Sequence, residues 1–123
     1  MRYLTDRKRA AGKGSAHTGT EHHWFMQASG VGLAFLVPAF VIIFGRALNQ
    51  DFDGVWAFFS NPFVAILFGL TLFVGMRHFA KGATMMIEDY AHGTWRKALI
   101  IMAISLSYVV TATGLFALAR IAL

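Results

Sequence analysis

Between Arg77 and Trp95 the chain reads RHFAKGATMMIEDYAHGTW. This short segment gathers two imidazoles (His78, His92), two long cations (Arg77, Lys81), two carboxylates (Glu88, Asp89) and a phenol (Tyr90). Neutral imidazole ligates metals and carries protons. A phenol hydroxyl donates a hydrogen bond to an oxygen that is gaining negative charge. Carboxylates at a water boundary organise water, steady a cation or pass protons. The segment follows Phe63–Met76, in which Thr71 is the only polar side chain. A helix made only to sit in lipid has no use for such residues, and ionisable groups at membrane depth mark function by default.

Their spacing sorts them into faces. At about 100° per residue, Gly75, His78, Gly82, Met85 and Asp89 share one stripe of a helix. Arg77, Lys81, Thr84 and Glu88 form a second stripe, centred roughly 90° away. Tyr90 falls about 120° round from His78 and ~18 Å further along the axis. Glycine one turn either side of a histidine lets a broad, flat group approach the backbone. A haem is such a group, and imidazole is a common axial ligand of its iron. The same glycines let a second helix pack closely, and the imidazole could simply hydrogen-bond to that helix. Spacing does not separate these uses. His17, His22, His23 and His92 lie elsewhere in the chain. If His78 binds a six-coordinate haem iron, the opposite ligand is therefore expected from another chain.

The elements that must position these residues are membrane helices. The chain has 123 residues, 57% hydrophobic and only 14% charged, against ~25% charged in a typical soluble domain. The apolar residues stand in long blocks, which indicates an integral membrane protein. A hydrocarbon core of ~30 Å needs about 20 helical residues. The expected fold is all-α: a bundle of three transmembrane helices at roughly 24–48, 62–88 and 98–121, preceded by a basic N-terminal segment over 1–23. Pro38 falls within the first helix, where a kink is expected. The stretch NQDFDGVWAFFSN reads as a loop with Trp56 as an interfacial anchor. Pro62 suits the first turn of the second helix, with Ser60 or Asn61 as its cap. To span, that helix must carry Arg77, His78 and Lys81 into or near the membrane. Ser105, Ser107, Tyr108, Thr111, Thr113 and Gly114 give the third helix a small, polar side suited to gripping its neighbours.

Charge orients the bundle. Five of the eleven Lys/Arg precede the first apolar run: Arg2, Arg7, Lys8, Arg9 and Lys13. Beside a membrane span, such a cluster marks the cytoplasmic side rather than a nucleic-acid surface, so no nucleic acid is expected as a partner. Arg96 and Lys97 place the second connection on the same side, and the acidic Asp51–Asp53 connection lies opposite. The N-terminus is then cytoplasmic and the C-terminus periplasmic. A mitochondrial transit peptide is also Arg-rich and acid-poor. The sequence retains the segment from Met1, and the expectation is a multi-pass protein of a bacterial inner membrane. Cysteine is absent, which excludes disulfides, thiolate metal sites and cysteine-bound iron–sulfur clusters within this chain.

The pattern His-x3-Gly-x6-Asp-Tyr-x-His-Gly, formed by His78, Gly82, Asp89, Tyr90, His92 and Gly93, resembles the smaller membrane-anchor subunit of succinate dehydrogenase, respiratory complex II. The pattern fixes a helix position and a loop together. The resemblance extends to the whole architecture of a basic N-terminus and three spans, and to the HHWFMQ approach at His22–Gln27. The family often carries an arginine just after that glutamine. Here the position is Ala28, followed by Ser29 and Gly30, so any polar role of the arginine is absent or falls to another residue.

The resemblance implies that His78 is an axial ligand of haem b, shared with a histidine of the larger cytochrome b anchor subunit. It implies that Tyr90 hydrogen-bonds ubiquinone, with Asp89 as its acidic neighbour. FAD and the iron–sulfur clusters would reside only in the flavoprotein and iron–sulfur subunits. The complex would serve the tricarboxylic acid cycle and aerobic electron transport, and this chain alone would not be an enzyme. His92, Lys81 and Arg77 could meet haem propionates or a proton path; Arg77 and Lys81 could instead pair with Glu88, and His92 could cap the helix end beside Gly93. Read without the resemblance, Glu88–Tyr90 is an ordinary interfacial helix end. Two alternatives stay open: the anchor of a related quinol:fumarate reductase, and a three-helix assembly protein whose polar stripe only grips other helices.

Overall fold

The structure is a computed structural model that describes residues 3–14 and 19–123; Arg2 and His17 lie outside them. Among the described residues every regular element is a helix: α1 (Asp6–Ala11), α2 (Gly19–Ala47), α3 (Phe52–Phe59), α4 (Pro62–Tyr90) and α5 (Gly93–Ala122). Three of them, α2, α4 and α5, are long and apolar enough to cross a membrane. The three-helix membrane bundle expected from the sequence is therefore present.

The long helices exceed what a bilayer needs. α4 has 29 residues, or about 43 Å of axis against ~30 Å of hydrocarbon. Counting about 20 residues from Pro62 puts the far hydrocarbon boundary near Gly82. Glu88, Asp89 and Tyr90 therefore ride on a helical extension beyond the apolar slab, while Arg77 and His78 lie just inside it. α2 likewise starts at Gly19 rather than near Trp24. His22 and His23, expected ahead of the first span, lie in its opening turns. Pro38 sits inside α2 without ending it.

Sequence chemistry sets the helix ends. Asn61 caps α4, its side chain accepting from the Phe63 N–H at 3.0 Å, and Pro62 follows in the first turn. The stretch expected as a loop holds α3 instead. Asp51 caps it by accepting from the Gly54 N–H at 2.9 Å, so an acid typical of loops starts a helix here. The Ser60 hydroxyl lies 2.9 Å from the Trp56 carbonyl oxygen and 3.1 Å from that of Ile121, bridging the end of α3 to the end of α5. At the opposite end only Ala91 and His92 separate α4 from α5. Gly93 takes φ +63°, a left-handed conformation that glycine adopts without strain. Arg96 and Lys97 stand in the first turns of α5, not in a loop.

α4 lies in the middle, packed against α2 on one side and α5 on the other. Only Ser29, Ala47, Phe68, Gly69, Ala103 and Ser107 are buried among the described residues. Phe68 centres an aromatic cluster, 4.6 Å from Phe40 and 4.9 Å from Phe59 between ring centroids. The cluster borders an apolar cavity of about 510 Å³. Most other large apolar side chains face outward, as suits a chain whose solvent is lipid and neighbouring helices. Trp24 and Trp95 are exposed near one end of the bundle and Trp56 near the other, the placement of interfacial aromatic belts.

Candidate functional site

His78 sits just inside the estimated boundary on α4 and turns its ring toward α2. There Ser29, only 8% exposed, places its Oγ 2.8 Å from His78 Nδ1. The same Oγ lies 2.6 Å from the Phe25 carbonyl oxygen and 3.3 Å from that of Met26. Among the described residues Nε2 of His78 has no hydrogen-bond partner, and it is not fully buried. One ring nitrogen is thus engaged and the other is open, an arrangement typical of a metal-ligating histidine.

The glycines beside His78 face the same seam. A Cβ on Gly82 would stand 3.6 Å from Met26 Cε, and one on Gly75 would stand 3.9 Å from Leu33 Cδ2. A Cβ on Gly30 of α2 would approach His78 Cε1 at 3.8 Å. A Cβ on either Gly75 or Gly82 would thus meet an α2 side chain at ordinary van der Waals distance, the close helix packing that is one of the two uses read from the sequence.

The second polar stripe lines a separate pocket of about 440 Å³, formed by His22, Arg77, Lys81, Thr84, Glu88, Ser107 and Tyr108 with two apolar neighbours. Arg77 donates to the Tyr108 hydroxyl at 3.2 Å. Ser107, 3% exposed, donates to the Met76 carbonyl at 2.7 Å and bridges α5 to α4. Pairing of Arg77 or Lys81 with Glu88 does not occur; the one ion pair among the described residues is Arg9–Asp6, at 3.9 Å on the surface. His22 enters this pocket with a buried Nε2 that has no partner.

Asp89, Tyr90 and His92 form a third group, beyond the estimated hydrocarbon boundary. Tyr90 is 82% exposed. His92 is also exposed and is the N-cap residue of α5, where its side chain makes no capping bond. The structure does not bring this group to His78, which lies three turns away along α4. No cluster of three or more potential metal ligands exists among the described residues. Any metal held at His78 therefore needs ligands from outside this set.

Of the polar residues at these sites, Ser29 carries no signal of its own in the sequence, and His22 is marked only as part of the HHWFMQ stretch. Ser29 is separated from His78 by 49 positions, and a serine in an apolar helix most often bonds its own backbone. The only available hint to Ser29 was its position just after the HHWFMQ stretch, one of the features that carry the resemblance noted from the sequence.

The family model for the succinate dehydrogenase/fumarate reductase transmembrane subunit matches residues 1–112. The chain belongs to this family. It is a multi-pass membrane-anchor subunit of the succinate dehydrogenase/fumarate reductase type, and such an anchor works in a complex with other subunits. Across all 123 residues it is 46% identical to the succinate dehydrogenase hydrophobic membrane anchor subunit of Paracoccus denitrificans, matching 100% of this chain and 95% of that relative. No solved structure matches the chain.

Proposed function

We propose that this anchor serves a succinate:ubiquinone oxidoreductase of a bacterial inner membrane, binding haem b jointly with the larger anchor subunit and completing the ubiquinone-reduction site. The open Nε2 of His78, beside an Nδ1 already engaged by Ser29, carries this reading. The donor chemistry fits a haem: one neutral imidazole per chain supplies half of a bis-histidine pair. Bound there, haem would accept and release single electrons. The residues of this chain hold and orient it. Arg77 and Lys81, without acidic partners among the described residues, are cations available to the porphyrin carboxylates, and His92 stands at the aqueous edge.

Tyr90 and Asp89 are the residues of this chain for the quinone. A quinone carbonyl gains negative charge as it is reduced, and the Tyr90 hydroxyl donates a hydrogen bond to it there. Asp89 organises water at the boundary from which the two protons arrive. Their exposure in the isolated chain leaves them free to be enclosed by the iron–sulfur subunit and the larger anchor. FAD and the iron–sulfur clusters belong to those partner chains. The clustering of basic residues in the N-terminal segment and at Arg96–Lys97 supports a cytoplasmic N-terminus and a periplasmic C-terminus.

A second reading has its own support. Met26 and Leu33 cover Gly82 and Gly75, so the His78 stripe could be a helix-packing seam in a purely structural anchor. The reduced optical spectrum of the purified complex tests the choice. A b-type haem band that His78→Ala removes or strongly weakens is the expected result; an unchanged band in that variant overturns the ligand assignment.

A further inference from the structure

Ser29 has two short contacts and only one hydroxyl proton. A carbonyl oxygen can only accept, so the 2.6 Å approach to the Phe25 carbonyl takes that proton. The 2.8 Å contact with His78 Nδ1 must then run the other way, with Nδ1–H donating and Oγ accepting. A neutral imidazole carries one N–H. With it on Nδ1, the lone pair lies on Nε2, the ring atom without a partner among the described residues. The geometry points to Ser29 as the positioning residue of the haem-ligand histidine, which selects its tautomer and fixes its ring plane. This inference rests on the haem reading of His78.

The construction around the pair is rigid. Ser29 is almost fully buried, and its hydroxyl is anchored to the turn of α2 that precedes it. The imidazole edge passes close to Gly30, the neighbour of Ser29, where any larger side chain would approach Cε1. Partners of this kind raise the basicity of a metal-ligating imidazole, and their loss typically costs about 10–100-fold in metal affinity or activity. Greater electron density on Nε2 favours ferric over ferrous iron. Removing the acceptor should therefore weaken haem retention and raise the midpoint potential by about 59 mV for each tenfold lost in that preference.

The test uses the complete complex with Ser29→Ala, Ser29→Cys and Ser29→Thr, measured for haem content per complex and for haem midpoint potential. Alanine removes the acceptor. Cysteine fills the position with a slightly larger group and replaces the hydroxyl with a weak acceptor. Threonine retains the hydroxyl. The expected result is a raised midpoint and reduced haem content in the Ala and Cys variants, with values near wild type for Thr. If the Ala variant fails to assemble, the Cys variant against wild type decides. Midpoints and haem content unchanged in Ala or Cys overturn the inference, as does a Thr variant that shifts as far as Ala, because the effect would then follow shape. His78→Ala is measured alongside. A haem band that survives it removes the haem reading itself, whereas loss of haem in His78→Ala with no shift at Ser29→Cys removes only the role of Ser29.

Discussion

Ser107→Ala should loosen the α4–α5 contact by a small, definable amount. The Ser107 hydroxyl donates to the Met76 carbonyl at 2.7 Å from a position 3% exposed. Met76 lies in the interior of α4, so its carbonyl keeps its intrahelical bond and is not orphaned by the change. The loss is therefore that of a single interhelical hydrogen bond in a membrane protein, about 0.6 kcal/mol on average and up to ~1.7. The lower end applies here, equivalent to roughly a threefold change in equilibrium. Thr113→Ala is the matched control, since its hydroxyl bonds only within α5, at 2.8 Å to Val109. A denaturing-detergent titration of the purified complex, scored by release of this subunit, measures both. Ser107→Ala should shift the midpoint clearly and Thr113→Ala much less. Equal shifts, or a Ser107→Ala cost of 3 kcal/mol or more, beyond the range known for such bonds, would refute the reasoning.

Tyr90→Phe should leave succinate oxidation with an artificial acceptor intact and slow quinone reduction roughly tenfold, the worth of about 1.4 kcal/mol of hydrogen bonding to the developing charge; equal loss of both activities contradicts a local role. Asp51→Ala removes the cap of α3 and should cost about 1 kcal/mol of local stability, read as faster amide hydrogen exchange confined to the α3 segment. Unchanged exchange there would show that tertiary contacts alone hold α3.

The spans were legible because lipid imposes a long apolar run, and the Asn61–Pro62 start of α4 because a cap followed by proline is local chemistry. α3 was not legible: with 8 residues it is shorter than the windows in which helical periodicity shows, and its cap, Asp51, is equally at home in a loop. The reach of α2 back to Gly19 was missed because polar residues such as Glu21 and His22 suit both a helix end beyond the bilayer and a tail. At the site, His78 and the Arg77–Glu88 stripe were visible through helical rotation alone. Ser29 and His22 were not, because each depends on which helix packs opposite. The two glycines illustrate the same limit: their place on the His78 face was clear, but only the packed α2 shows what covers them.

Near-infrared magnetic circular dichroism of the oxidised complex reads the identity of the iron ligands directly. The wild type should give the signature of bis-histidine ligation, and His78→Met should convert it to that of a histidine–methionine pair. A bis-histidine signature that persists in the His78→Met complex would show that His78 is not a ligand and contradict the account.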